Sequence, residues 1–259
     1  METITVALIG NPNVGKTTLF NSLTGGDQHV GNWPGVTVEK VEGKRKVGDM
    51  ELTFVDLPGT YSITARSPDE KIARDFLLDP SLDIILQVVD ASRIERNLYL
   101  TTQLLEYGKP VVLALNKSDI LEAEGRSLNI EKMSTFLGAD CVEIVASENR
   151  GISPLVDQLI ESRNQSHSHP HAIGFGSKID VKIGDLIEIL ESRGSVPNHL
   201  PLHWVGTRLL EADEQIRTMV SEMDCGEEIG QIIDAIDSEM MEIEMADSRH
   251  ATVSTIVSH

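Results

Sequence analysis

Ile4-Thr5-Val6-Ala7-Leu8-Ile9-Gly10-Asn11-Pro12-Asn13-Val14-Gly15-Lys16-Thr17-Thr18-Leu19-Phe20-Asn21-Ser22-Leu23 decides the fold. Its first six residues are apolar or β-branched, as a strand buried on both faces requires. Gly10 to Thr17 has the spacing of a phosphate-binding loop, and Thr18 to Leu23 reads as the helix that must follow. Glycines let the backbone approach phosphate oxygens, and successive N–H groups converge at the helix N-terminus, where the dipole favours anions. Gly10, Asn11, Pro12, Asn13, Val14, Gly15, Lys16, Thr17 and Thr18 are therefore expected to line a nucleotide's phosphates. Lys16 reaches the β- and γ-phosphates, and the Thr17 hydroxyl is a ligand for Mg2+.

The whole chain bounds what that loop can serve. Its 259 residues can bury one large core or two modest ones. Against 22 basic residues stand 41 acidic ones, a net charge of −19. Such a surface repels nucleic acid and anionic membranes, and no basic stretch is segregated, so nucleic acid is not an expected partner. Cys141 and Cys225 lie too far apart in sequence to suggest a disulfide framework or metal cluster. The chain enters a strand at once, so no leader is expected. No apolar run approaches the roughly 18 residues a membrane span needs, and the chain as given is expected to be soluble.

Outward from the loop, strands and helices alternate to about residue 163. Residues 36–46 and 51–55 read as strands paired across the 47–50 turn, after an irregular Gly-rich connection at 25–35. Ser67-Pro68-Asp69-Glu70 has capping-box spacing and opens a helix reaching Leu78. Buried strands follow at 83–89 and 110–115, with a helix at 94–107 that Gly108 ends. Helix, strand and helix are expected at 127–137, 141–146 and 152–163. This rhythm predicts an α/β domain over residues 1–164, a doubly wound, mostly parallel sheet with one antiparallel strand. Residues 165–176, with three histidines, proline and glycines, read as a linker. Strand signals then vanish, and helices at 179–193, 201–211, 214–223 and 227–245 predict a small all-α domain over 177–259. That second part holds 6 basic and 17 acidic residues, against 16 and 24 in the first 164.

Further stretches turn a phosphate loop into a guanine-nucleotide site. Phe54-Val55-Asp56-Leu57-Pro58-Gly59 ends a strand with an aspartate that can hold Mg2+ through water. Beyond Leu57 and Pro58, the Gly59 N–H can bond a γ-phosphate. Asn116-Lys117-Ser118-Asp119 ends a later parallel strand. The Asp119 carboxylate can accept hydrogen bonds from the guanine N1–H and 2-amino group. Adenine offers neither, and the mismatch would leave a buried charge unpaired. Lys117 can lie over the base. Alone, either tetrapeptide is an ordinary turn; spaced 40 residues after Lys16 and 60 after Asp56, they point to guanine. Thr37, beside Gly35 and Val36, is the expected second hydroxyl for Mg2+, in a loop ordered by a γ-phosphate. Val145-Ala146-Ser147 follows the last strand, where N–H groups can touch the guanine O6.

In this spelling the five pieces resemble the translation-factor-related P-loop GTPases. Within that class, Gly31-Asn32-Trp33-Pro34-Gly35-Val36-Thr37-Val38-Glu39, Asp56-Leu57-Pro58-Gly59-Thr60-Tyr61-Ser62 and Val89-Asp90-Ala91-Ser92 closely resemble FeoB, the bacterial ferrous-iron transporter family. So do Glu95-Arg96-Asn97-Leu98-Tyr99-Leu100, the stretch from Trp204 to Asp213, and Ala246-Asp247-Ser248-Arg249-His250. The resemblance covers essentially the whole chain. It implies a GTPase domain plus a helical spacer domain, also described as resembling a dissociation inhibitor. It further implies a permease beyond His259 as partner, and a place at the cytoplasmic face of the bacterial inner membrane; association with further copies stays open. In GTPases resembling this one, an asparagine where Asn13 stands holds K+ between the phosphates, which implies K+-stimulated hydrolysis. Lys16, Asn13, Thr37 and Gly59 are the catalytic candidates that follow.

Departures from the pattern matter too. Lys117 stands where the family more often has methionine, and Ala146 leaves the register of the last piece open. Thr60 occupies the place where Ras-like GTPases carry the glutamine that orients water, which implies slow turnover. Two rivals remain at this level, a ribosome-assembly GTPase, against which the acidic second domain weighs, and a non-catalytic GTP switch. Weaker signals have plain readings: His167, His169 and His171 as a solvated tether rather than a metal site; His29, Asp27 and Glu39 as surface rather than an iron site; Met240, Met241 and Met245 as helix core rather than an iron relay.

Overall fold

The structure is a computed structural model that describes residues 2–64, 67–164 and 173–258; the three linker histidines lie outside the described residues. The first part contains β1 (Glu2–Gly10), α1 (Lys16–Thr24), β2 (Gln28–Asn32), β3 (Glu39–Val47), β4 (Met50–Asp56), α2 (Pro68–Leu77) and β5 (Ile84–Asp90). It continues with α3 (Ile94–Leu104), β6 (Val111–Asn116), α4 (Ser118–Ala123), α5 (Ile130–Leu137), β7 (Asp140–Glu143) and α6 (Ile152–Asn164). The strands form one sheet in the order β2-β3-β4-β1-β5-β6-β7. β1 pairs in parallel with β4 and β5, as do β5 with β6 and β6 with β7, and β3 alone runs against the rest. The sheet is thus the doubly wound, mostly parallel one expected from the sequence.

Alternation along β1 explains the layers. Val6 and Leu8 face a cluster with Leu19, Phe20, Leu155 and Leu159 of α1 and α6. Ala7 and Ile9 face the opposite side, with Leu77 of α2, Leu98 of α3 and Leu137 of α5. Each fully buried Leu or Ile contributes roughly 1.5–3 kcal/mol. A sandwich of this kind leaves the carboxyl ends of β1, β4, β5 and β6 together at one edge.

The remaining helices are α7 (Ser177–Arg193), α8 (Leu202–Leu210), α9 (Glu214–Ser221), α10 (Gly226–Asp234) and α11 (Ser238–Val257). They pack on the α2–α3 side, and their apolar residues join the same cluster, Trp204 meeting Tyr107 at 5.7 Å between ring centroids.

Five local expectations are corrected. The 25–35 connection contains β2, which pairs antiparallel with β3; all five of its residues are exposed at the sheet edge, so no apolar alternation marks it. The next strand begins at Glu39 rather than Val36, because Trp33 N–H donates to the Val38 carbonyl at 3.0 Å and closes a hairpin turn over 33–38. The last strand is Asp140–Glu143 rather than 141–146, because Ala146 already starts a 3-10 turn. Finally, 227–245 is two helices: the Asp237 carboxylate accepts from Met240 N–H at 3.1 Å and starts α11, which runs on to Val257. Met241 and Met245 are buried there, but Met240 is 57% exposed and is not core.

Candidate functional site

The phosphate loop joins β1 to α1 at that carboxyl edge. Gly15 has φ +92°, and a Cβ on it would run into the Asn116 side-chain amide. A Cβ on Gly10 would lie 2.6 Å from the Val88 carbonyl, so the strand end admits only glycine. Asn13 is also left-handed, at φ 67°. Lys16 opens α1, and Thr17 and Thr18 stand exposed in its first turn.

Asn116 fastens this loop to the rest of the site. Its amide donates to the Val14 carbonyl at 2.9 Å, and its side-chain oxygen accepts the Ala146 N–H at 3.0 Å. Val145 and Ala146 are buried at that junction, and Ser147 is exposed. Asp119 lies half-buried in the first turn of α4, making no side-chain hydrogen bond or ion pair among the described residues. Lys117 caps the same helix at φ 65°. These strand ends meet because β5 and β6 pair in parallel with Asp90 opposite Asn116.

Asp56 ends β4 and is ion-paired with Lys16. Burial pushes its carboxyl above the usual range, and Lys16 only partly counters this. Leu57 N–H donates to the Leu8 carbonyl at 2.9 Å and Thr60 N–H to the Gly10 carbonyl at 3.1 Å, which seats Pro58 and Gly59 against the phosphate loop. The Thr60 hydroxyl donates to the Ser62 carbonyl at 2.6 Å, so it is spent within its own turn. Gly35, Val36 and Thr37 lie exposed in the 33–38 turn. Among the described residues Thr37 makes no side-chain hydrogen bond, and nothing ties it to Thr17 or Asp56. Asn11 is buried, its amide on the Arg96 carbonyl at 3.2 Å.

Mg2+ fits the donors present. A half-buried carboxylate whose ionisation burial opposes, facing a helix that presents a threonine hydroxyl, is an all-oxygen set suited to a hard divalent ion. Asn13 offers an amide oxygen beside the same loop. Between the loop and α3 lies a cleft of about 430 Å3, lined by Asn11, Asn13, Tyr61, Asp90, Arg96 and Lys117. Sequence reasoning missed Asp90 and Arg96 as members of this site, although both fall within quoted stretches. The available signal was an aspartate ending the strand next to Asn116-Lys117.

Strand, loop and helix, with Asn116 clasping the loop and Asp56 closing it, define a P-loop GTPase domain of the doubly wound class. Residues 4–159 match the family model described as ferrous iron transport protein B, and residues 175–259 match the FeoB cytosolic helical domain. The chain belongs to the FeoB family. It is 38% identical to the Fe(2+) transporter FeoB of Salmonella choleraesuis over 99% of this chain and 33% of that protein. It therefore spans about a third of the length of the curated relatives it matches. Among solved structures, the cytosolic domain of L. pneumophila FeoB is 38% identical with a TM-score of 0.83, covering 98% of each chain. The cytosolic domain of the T. maritima FeoB iron transporter in GDP form is 30% identical, with a TM-score of 0.89, over 100% of this chain and 98% of that one. No helix among the described residues is long and apolar enough to cross a membrane.

Proposed function

We propose that this chain binds GTP and GDP, hydrolyses GTP slowly, and serves as the cytosolic control module of a ferrous-iron transporter. The observation that carries this reading is the half-buried Asp119, without a side-chain partner among the described residues, held next to a phosphate loop that Asn116 clasps. In this reading Asp119 accepts from the guanine N1–H and 2-amino group, Lys117 covers the base, and the 145–147 backbone meets O6. Lys16 exchanges Asp56 for the β- and γ-phosphates. Thr17, Thr37 and, through water, Asp56 would hold Mg2+, which would supply positive charge against that of the phosphates. Thr37 arrives with its turn only when a γ-phosphate is present, and Gly59 N–H bonds that phosphate. Asn13 would help to hold K+, which would supply positive charge against that developing in the transition state. With the Thr60 hydroxyl bonded to the Ser62 carbonyl, the residue in the place of the water-orienting glutamine is occupied, and turnover is slow.

The units run 1–164 and 177–259 with 165–176 between them, and the helical unit passes the nucleotide state to a permease at the cytoplasmic face of the inner membrane. Calorimetry with GDP, a GTP analogue and an ATP analogue tests the nucleotide reading on wild type and D119A. Guanine-selective binding lost in the variant is expected; equal uptake of the adenine analogue would refute it. Phosphate release in K+ and Na+ at equal ionic strength tests the Asn13 role, and equal rates would end it.

A further inference from the structure

Asp90 has no part in the mechanism above, yet its surroundings give it one. It ends β5 directly beside Asn116 in the parallel register, so Lys117, the residue that follows β6, comes within reach. The Lys117 ammonium donates to one Asp90 carboxylate oxygen at 2.5 Å and to the Asn13 carbonyl at 3.1 Å. The other carboxylate oxygen accepts the Ser92 N–H at 3.1 Å and the Ser92 hydroxyl at 2.6 Å. Burial opposes the Asp90 charge, but the bonds from Lys117 and Ser92 outweigh it and hold the carboxyl below its usual range. Both ends of the bridge, Asn13 and Lys117, sit in the left-handed region that residues with a Cβ adopt at a cost, so each needs outside support. A free lysine stem would sample many rotamers, and a fixed carboxylate selects one.

We propose that Asp90 is a positioning residue of the nucleotide site. It anchors the Lys117 ammonium so that this one side chain ties the base-reading stretch to the loop segment carrying Asn13. Base and phosphate sites are thereby held in register before a nucleotide enters. The inference rests on reading residues 116–119 as the guanine-binding stretch.

Stopped-flow dissociation of a fluorescent GDP derivative tests it on wild type, D90N, K117M and the double variant. D90N is expected to speed release about tenfold, K117M to do at least as much, and the double variant to match K117M alone. D90E, which keeps the charge, should recover part of the loss. An Asp90 that only shapes the β5–α3 turn would add its effect on top of K117M, and that additivity overturns the proposal. S92A, which loosens Asp90 without touching Lys117, should give a smaller acceleration that vanishes in K117M, and it carries the test if D90N does not fold. Wild type that binds GDP while D90N and S92A release it at the wild-type rate defeats Asp90 alone. Wild type that binds no guanine nucleotide defeats the underlying reading instead.

Discussion

One half-buried set of charge in this molecule and one set centred on the fully buried Glu106 are built on opposite plans. At the carboxyl edge of the sheet, Asp56 has one lysine partner and Asp119 has none among the described residues. Along the α3 side, Glu106, fully buried just beyond α3, meets Arg208 and Arg249 at 2.8 Å each, and Glu211 closes the ring at 2.8 and 2.5 Å. The Thr207 hydroxyl adds a bond to Glu106 at 3.2 Å. Titration directions express the contrast. Burial wins at Asp56 and raises its carboxyl, while at Glu106 Arg249 and Arg208 together overcome burial and hold the carboxyl low. In the ring each carboxylate meets both guanidinium groups, which fixes the helices against the sheet. An open set keeps capacity for something that arrives. Buried charge by itself therefore does not mark a site; incomplete compensation does.

Removing a member should expose that difference most in the ring. Glu106→Ala leaves two buried guanidinium groups short of a carboxylate, and the expected loss is about 3–5 kcal/mol in urea unfolding. A loss under about 1 kcal/mol would mean that the ring is as open as the site. The sign with pH follows from Glu106 lying below its unfolded value. Its contribution is present above the unfolded carboxylate range and is lost as pH falls through the folded one. Wild type should therefore lose more stability on acidification than Glu106→Gln does.

At the open edge the effects move from stability to binding. Asp119→Ala is expected to cost at least about a hundredfold in GDP affinity while unfolding stability stays within roughly 0.5 kcal/mol. A comparable fall in both would place Asp119 in the structural class. Asp56→Asn removes a charge that burial disfavours, so the ligand-free protein should gain up to about 1 kcal/mol. The same variant should lose Mg2+-dependent phosphate release. A carboxyl raised on folding contributes stability below its unfolded value and loses that contribution as pH rises through the folded one. A less stable Asp56→Asn would show that Lys16 compensates the carboxylate after all.

How far sequence reached follows the same division. The loop from Gly10 to Thr17, the strand ends at Asp56 and Asn116, and the cap at Ser67 are local patterns, legible because neighbours in the chain make them. The β2 edge was hidden because its residues all face outward, and the split at Asp237 because Ile229, Ile233 and Met241 keep an apolar rhythm across the break. Glu106, Arg208 and Arg249 come from three distant stretches, and only packing brings them together. The same holds for the Asp90–Lys117 bridge, which needs two strands in register before either residue has a partner.

α2 joins the two regions and supplies the mildest test. At one end the Ser67 hydroxyl accepts the Glu70 N–H at 3.2 Å, and Glu70 itself accepts from Ser62 and Thr64 of the turn that follows Gly59. Towards the other end Arg74, only 4% exposed, bonds Asp213 of the α8–α9 connection at 3.0 Å and reaches Gln215 in the first turn of α9. Ser67→Ala deletes a cap worth about 1 kcal/mol, a fall of roughly 2–4 °C in Tm for a chain of this size. Because Arg74 still anchors the helix, the variant should keep wild-type GDP affinity, and the frayed first turn should appear as faster amide exchange at Asp69 and Glu70. Unchanged Tm and exchange would mean that α2 is held from the Arg74 end alone, and that the turn after Gly59 is held by Thr60 N–H on the Gly10 carbonyl and Ile63 N–H on the Gln103 side chain.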